Sequence, residues 1–458
     1  MFRIAKDRER DALTVRVECR RVRTTKTQPT RIFCCLPLSL ATGNLLQPDP
    51  RFSMAVEVRC WRKIMKPLAG LKVLDLTRFF AGPFCTMLLG DHGADVVKVE
   101  SPGSGDQTRR QGPPFKAENG MTFFAGNRNK RSLVLDAKTE EGRDLLYQLA
   151  CRADVVVENF RPPVLKRLGI DYERVSAANP GVIYASLSAL GPDGPQGDRG
   201  GFDITVQAEF GFMSISGEKN GKSIKQGTSV FDLVTGLYAY SGIVTALLQR
   251  KETGRGQRVE TSLMESQVSF LVDAAMEYLI AGKVREKWGS EHSQIVPYKV
   301  FSTRDGEVVI GAGYQTVYEP FVRAIGREDL ITDPRFATLA VRVENRDEMY
   351  RVLDAEIAKY TNAEIIALLD KGTVPNAPVN NVAQVFSHPQ LLHRKMLLSL
   401  DHPQYGSVPT IGSAVKYSGF DVAEGWRAPP LLNEGAESVL EDWLGKSEPR
   451  KAAHAARP

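Results

Sequence analysis

Sulfur and imidazole are scarce in this chain: its 458 residues include 6 cysteines and 6 histidines. Cys19, Cys34, Cys35 and Cys60 fall near the start, which leaves Cys85 and Cys151 for the remainder. No disulfide framework or metal-spaced cysteine pair is visible, as expected for a reducing compartment. His92, His292, His388, His393, His402 and His454 are too scattered to mark a ligand set, so no metal is expected. A run of about 18 apolar residues, the length of a membrane span, is also missing. The mildly apolar stretch 32–46 is interrupted by Pro37. No membrane partner is expected.

A surplus of one charge is lacking too, once the chain is divided. It holds 60 Lys and Arg against 54 Asp and Glu, but residues 1–64 contain 14 of the former and 6 of the latter, leaving 46 against 48. The body has no basic excess for a phosphate backbone, so nucleic acid is not an expected partner. Residues 1–64 read as an Arg-rich transit peptide or as sequence ahead of a start at Met54 or Met65. Asp7, Glu9, Asp11 and Glu18 weigh against the former. We read 1–64 as an unstructured N-terminal extension and expect a cytoplasmic protein, or one of the mitochondrial matrix if that segment is a transit peptide.

What is present from residue 68 onward is an alternation of strand and helix. Strands are expected at 71–77, 94–100, 132–136, 154–158 and 182–186, with helices at 82–90, 140–151 and 164–168 between them. This spacing predicts an α/β fold with a parallel sheet and helices on both faces. The large α/β domain is expected over 65–287 and a smaller α+β domain over 288–390. Residues 391–447 then return to the large domain, and 448–458 form a disordered tail. Ligands of such sheets bind beyond the carboxyl ends of the strands, which makes 78–83, 101–108, 136–139 and 159–163 candidate loops. Two nucleotide motifs fail: AGPFC (81–85) lacks a dinucleotide fingerprint, and GEKNGKS (217–223) is one residue short of a phosphate loop and reads as a polar hairpin. A helix is expected over 232–250, another, long and apolar-faced, over 263–280, and a third over 345–360.

One acid stands out. In GTSVFDLVTGLYA (227–239), turn formers precede Asp232, and Leu233, Leu237, Tyr240, Val244 and Leu247 follow at helical spacing. Asp232 is thus expected at a helix N-terminus, where the partial positive charge favours an ionised carboxylate. From spacing alone it reads first as a helix cap with no chemistry, since Asp is among the commonest cap residues.

The ordered blocks KPLAGLKVLDLTR (66–78), AGP (81–83), DVVKVESPGSGD (95–106), NRNKRS (127–132), VENFRP (157–162) and TGRGQ (253–257) resemble the class III CoA-transferase family. The blocks WGSEHSQIVPY (288–298), GAG (311–313), VPNAPVNN (374–381) and PPLL (429–432) are most similar to its dicarboxylate branch, the succinate-hydroxymethylglutarate (glutarate) CoA-transferases. The resemblance implies a Rossmann-like large domain that binds CoA, an interlocked homodimer, and acyl-CoA and carboxylic acids as substrates. It places the nucleophile at Asp232 and CoA contacts at Phe80, Ala81, Leu135, Asp136, Ala137, Lys138, Asn159, Phe160, Arg161 and Arg167. Asp232 would attack the donor thioester to give a mixed anhydride, then an aspartyl-CoA thioester that the acceptor acid resolves. No ATP, metal or nicotinamide cofactor is implied. GAG (311–313) would close as a lid over the acyl oxygen.

Two departures accompany the resemblance. Phe80 replaces a glutamine of formyl-CoA transferase, and Ser101 replaces a CoA-contacting arginine, which shifts phosphate recognition toward Arg109, Lys138, Arg161 or Arg167. Arg109, Arg110, His292 and Gln294 are the candidates for an acceptor's distal carboxylate. Related α-methylacyl-CoA racemases carry a histidine base in the block matching GFDIT (201–205), where this chain has Phe202, so transfer is expected over racemisation. A non-catalytic CoA-binding protein is the other alternative.

Overall fold

The computed structural model describes residues 66–445 except Asp198, together with two short paired strands, Arg3–Ile4 and Val15–Arg16. The rest of 1–64 and all of 448–458, for which an extension and a tail are expected, lie outside the described residues.

Six strands form one parallel sheet: β1 Lys72–Asp75, β2 Asp95–Glu100, β3 Lys130–Val134, β4 Val155–Glu158, β5 Ile183–Ser188 and β6 Gln257–Ser262. Their order is β6-β5-β4-β1-β2-β3, every neighbouring pair parallel. The strands are short apolar runs because both faces are covered. Val73, Val96, Val155, Val157, Ile183 and Ala185 face one core cluster, and Leu74, Val97, Val156 and Tyr184 face another, as the two-residue period of a strand dictates. The first cluster is closed by α1 (Ala81–Asp91) and the second by α2 (Glu140–Arg152) and the short α3 (Pro162–Leu168). Chain order runs outward from β1 to β3, then restarts on the other side of β1 with β4. The crevice between the loops that leave β1 and β4 is therefore the switch point at which ligands bind such sheets.

Beyond β5 come α4 (Asp203–Glu209) and α5 (Val230–Thr253). Helix α5 has 24 residues and enough apolar character to cross a membrane by length and composition, a feature the search for apolar runs does not register because Thr, Tyr, Ser and Gly interrupt it. Here it is a core helix: Val234, Gly236, Ala239, Ile243, Ala246 and Leu247 are buried. A methyl at Gly236 would stand 2.7 Å from the Ala81 carbonyl oxygen, so the absence of a side chain lets α5 lie directly on the start of α1.

The helix expected over 263–280 is two, α6 (Leu263–Ser269) and α7 (Val272–Ala281). Between them Phe270 packs edge-on with Phe231 and Tyr238, and Val272 leaves the helical path with a φ of 39°. The residues 217–222 turn without flanking strands, so no hairpin forms there; this charged and glycine-rich stretch offers no face to bury.

Residues 296–374 supply a separate hydrophobic cluster around an antiparallel sheet of β7 (Tyr298–Ser302), β8 (Glu307–Gly311) and β9 (Asn376–Pro378). The helix expected over 345–360 is found as Arg346–Ile357. A hairpin, β10 (Leu397–His402) with β11 (Gly406–Ile411), follows, and α8 (Ala436–Leu444) joins the cluster on the α2 face of the large sheet through Val439 and Trp443.

Candidate active site

A cleft of ≈ 790 Å³ opens beyond the carboxyl ends of β1 to β4. Leu76, Thr77 and Arg78 reach it from β1, Lys98 to Ser101 from β2, Leu135 to Lys138 from β3, and Phe160 from β4, joined by Arg143 of α2 and by Val164, Arg167 and Leu168 of α3. Of the ten expected CoA contacts, Leu135, Asp136, Ala137, Lys138, Phe160 and Arg167 line this space. Phe80, Ala81, Asn159 and Arg161 stand outside its lining. Phe80 precedes α1 and packs on Phe84; Ala81 is buried at the first position of α1 under Gly236; Arg161 caps α3. Asn159 works on the loop wall: its Oδ1 accepts from the Arg78 N–H at 3.0 Å and its Nδ2 donates to the Arg78 carbonyl at 2.9 Å.

The floor of the cleft is a buried charge network. Lys98 Nζ donates to the Thr77 carbonyl at 2.9 Å and pairs with Asp106 at 2.8 Å. Next to it, Asp75 pairs with Lys130 at 2.9 Å, both side chains fully buried, and accepts from the Thr77 N–H, Thr77 Oγ1 and Thr86 Oγ1. Burial disfavours the Asp75 carboxylate, but Lys130 and Lys98 overcome this and hold it well below the usual range. Asp75 thereby anchors the loop that leads from β1 to α1.

Two expectations fail against this geometry. Arg109 does not face a ligand: it pairs with Glu100 at 2.7 Å, donates to Asn119 and the Pro430 carbonyl, and lies 3.7 Å over the Phe123 ring. An arginine whose donors are all engaged in the interior serves packing, not phosphate or an acceptor carboxylate. Nor is GAG (311–313) a loose lid. Gly311 and Ala312 donate their N–H groups to Pro375 and Pro297, Ala312 is fully buried, and the Gly313 carbonyl accepts from Arg342 at 2.7 Å. Those two N–H groups are spent on the fold. Of the other acceptor-carboxylate candidates, Arg110 donates to the Gly103 carbonyl, Gln294 to Glu277, and His292 Nδ1 accepts from the Gln294 N–H.

Asp232 is the third residue of α5, not its cap; Ser229 holds that position without a side-chain hydrogen bond. The helix start is tied instead by Asp203 of α4, whose buried carboxylate accepts the Phe231 N–H at 2.9 Å and the Gln207 amide at 2.5 Å. Asp232 is half-buried, and among the described residues no group donates a hydrogen bond to its carboxyl. Burial, and then repulsion from Asp203, push its pKa up to about 7. The helix terminus, expected to keep it ionised and worth about 0.3–1 kcal/mol, is outweighed by desolvation.

The position of Asp232 follows from the packing of its helix. Gly236 sits on Ala81, and Tyr240 Oη lies 3.2 Å from His92 Nδ1, so α5 and α1 run in the same direction. Asp232 lies one turn before Gly236 on the same face of α5, and it is not among the residues that line the cleft. Phe79 in the loop that leads from β1 to α1 takes a φ of 67°, unusual for a residue with a side chain, and meets Phe202 edge-on at 5.5 Å. Phe202, where a racemase base would stand, presents a 61% exposed ring.

Lys98, Arg143 and Asp203 escape sequence reasoning as site neighbours. Lys98 reads as a strand residue and Arg143 as a surface helix charge. Asp203 comes from 29 positions before Asp232, and no local pattern links the two.

Known proteins resemble this chain along most of its length. A family model described as CoA-transferase family III matches residues 68–436. The chain is 40% identical to the succinyl-CoA:glutarate CoA-transferase of Mus musculus, over 84% of this chain and 88% of that protein. It is 35% identical to a succinate–glutarate CoA-transferase of Agrobacterium fabrum, over 82% and 95% respectively. A CaiB/BaiF family protein from Brucella suis has a similar crystal structure, with a TM-score of 0.76 and 37% identity, covering 82% of this chain and 99% of that one.

Proposed function

The chain belongs to CoA-transferase family III, and on that premise we propose that it moves CoA from succinyl-CoA to a short dicarboxylic acid such as glutarate or hydroxymethylglutarate, with Asp232 as the nucleophile. The observation that carries the assignment is a half-buried carboxyl with no hydrogen-bond donor among the described residues, one turn before the glycine by which α5 packs on the start of α1. The Asp232 oxygen attacks the thioester carbonyl, forming the acyl–aspartyl anhydride and releasing the CoA thiolate. The thiolate attacks the aspartyl carbonyl, giving the aspartyl-CoA thioester and free succinate. The acceptor carboxylate then forms the second anhydride and expels the thiolate, which takes the new acyl group and restores the aspartate. Thioester is exchanged for thioester, so the sequence of steps requires no metal, ATP or nicotinamide.

The choice of dicarboxylates rests on the two relatives whose names specify succinate and glutarate. Incubating succinyl-CoA with a panel of acids and weighing the CoA products tests it. Glutarate and hydroxymethylglutarate are expected to react; a panel in which only monocarboxylates such as carnitine accept CoA overturns the substrate reading.

The proposal includes the division into a CoA-binding domain over 65–287 and a small domain over 288–390, supported by the separate core around β7 to β9, and a homodimer. Supporting the dimer, α7 and the turn before it expose Phe270, Val272, Met276, Tyr278, Leu279 and Ile280, an apolar surface that calls for a partner. Sedimentation should give twice the 50.6 kDa chain mass; a species at the single-chain mass removes the dimer.

A further inference from the structure

The cations that the family resemblance offers for the CoA phosphates do not all reach the cleft. Arg109 is consumed in the interior, Arg161 stands outside the lining, and Ser101 brings no charge. Arg78 does reach it. This residue lies three positions past β1, at the switch point between β1 and β4, and neither the motif blocks nor the relatives assign it a role.

Its surroundings hold it in place. The Asn159 amide brackets the Arg78 peptide from both sides. The guanidinium carbon lies 4.8 Å from the centre of the Phe160 ring, and Phe160 is held by its N–H donating to the buried Glu158 at 2.7 Å. Among the described residues, the guanidinium donates no hydrogen bond and has no carboxylate within ion-pair distance, although buried polar groups of the neighbouring network are paired. A planar cation with a fixed backbone, one stacked face and free donors suits bidentate capture of a phosphate group.

We propose that Arg78 binds the diphosphate of the CoA moiety, supplying the charge that Ser101 does not. The same loop continues through Phe79 and Phe80 to α1, against which Asp232 is carried. Sheets of this kind hold the diphosphate of a bound nucleotide at the switch point, where Arg78 stands, so the diphosphate rather than the 3′-phosphate falls to this cation. Lys138, Arg143 and Arg167, on other elements of the lining, are left for the 3′-phosphate.

This inference rests on the reading of the cleft as the CoA site, and the test separates the two. Free CoA and 3′-dephospho-CoA are titrated by calorimetry into the full-length protein and its Arg78→Met variant, which keeps an unbranched stem against Phe160. The substitution is expected to weaken both ligands by about 10- to 100-fold, because both retain the diphosphate, and to flatten the salt dependence of binding. Unchanged affinity, a loss seen with CoA but not with dephospho-CoA, or an equal loss with an unaltered salt dependence overturns the assignment of Arg78. Failure of the unsubstituted protein to bind CoA at all overturns the underlying reading instead.

Discussion

Asp232→Ala is expected to lower CoA transfer by about 10⁴-fold or more, since removing a covalent nucleophile leaves only binding and orientation to act on the thioester. Loss of fold would not explain it. The carboxyl accepts no hydrogen bond among the described residues, so its removal strands no buried donor. Stability should shift the other way. The carboxyl has a folded pKa of about 7, well above the ordinary aspartate value of about 4. Between those values the folded protein binds the extra proton, and stability therefore falls as pH rises from about 4 to about 7. The alanine variant should lose that slope, which thermal melts across pH will show. Transfer by the intact enzyme should rise through the same region as the nucleophile ionises. Asp203→Asn keeps an oxygen for the Phe231 N–H but removes the repelling charge, and should move the activity limb to lower pH. Appreciable turnover by purified Asp232→Ala, or a limb that Asp203→Asn leaves in place, would count against the assignment.

The second large effect is on stability. Breaking the Asp75–Lys130 pair from one side, as Lys130→Met, is expected to cost about 3–5 kcal/mol, because a fully buried carboxylate is left without its closest counter-charge. Lys130 also donates to the Pro83 carbonyl and to Asn127 Oδ1, which lose their donor as well. Replacing both partners by apolar residues should cost less than either single change, since no bare charge remains. Chemical denaturation of the four proteins measures this. A single variant as stable as the parent would show that the network does not hold the β1–α1 loop. That loop carries Arg78 and Phe80, so CoA affinity should fall with the single variant too.

The sheet was legible because buried parallel strands are apolar runs: VLD, DVVKV and VVVE announce β1, β2 and β4 without help from tertiary structure. Strand β3 begins two residues earlier than its apolar letters suggest, at Lys130, whose charge is neutralised by Asp75 from 55 positions away. The break between α6 and α7 has no glycine or proline to mark it; it falls at Val272, whose φ is 39°, two residues after the Phe270 ring that meets Phe231 and Tyr238. Asp232 could be located from its turn formers and the helical spacing that follows. Its environment could not, because the acid that repels it lies on α4. Arg109 shows the reverse limit. An arginine in a glycine-rich loop after a strand has the local signature of a phosphate ligand, and only the Glu100 carboxylate and the Phe123 ring reveal that it is spent on the core.

The central claim is that one carboxylate accepts the acyl group and then CoA. Incubating the enzyme with succinyl-CoA without an acceptor acid, quenching, digesting and weighing the peptides tests it most directly. The account predicts that CoA is attached through a thioester to the peptide containing Asp232, and that hydroxylamine converts that residue to a hydroxamate. An adduct on any other residue, or none in an enzyme that turns over, would contradict it.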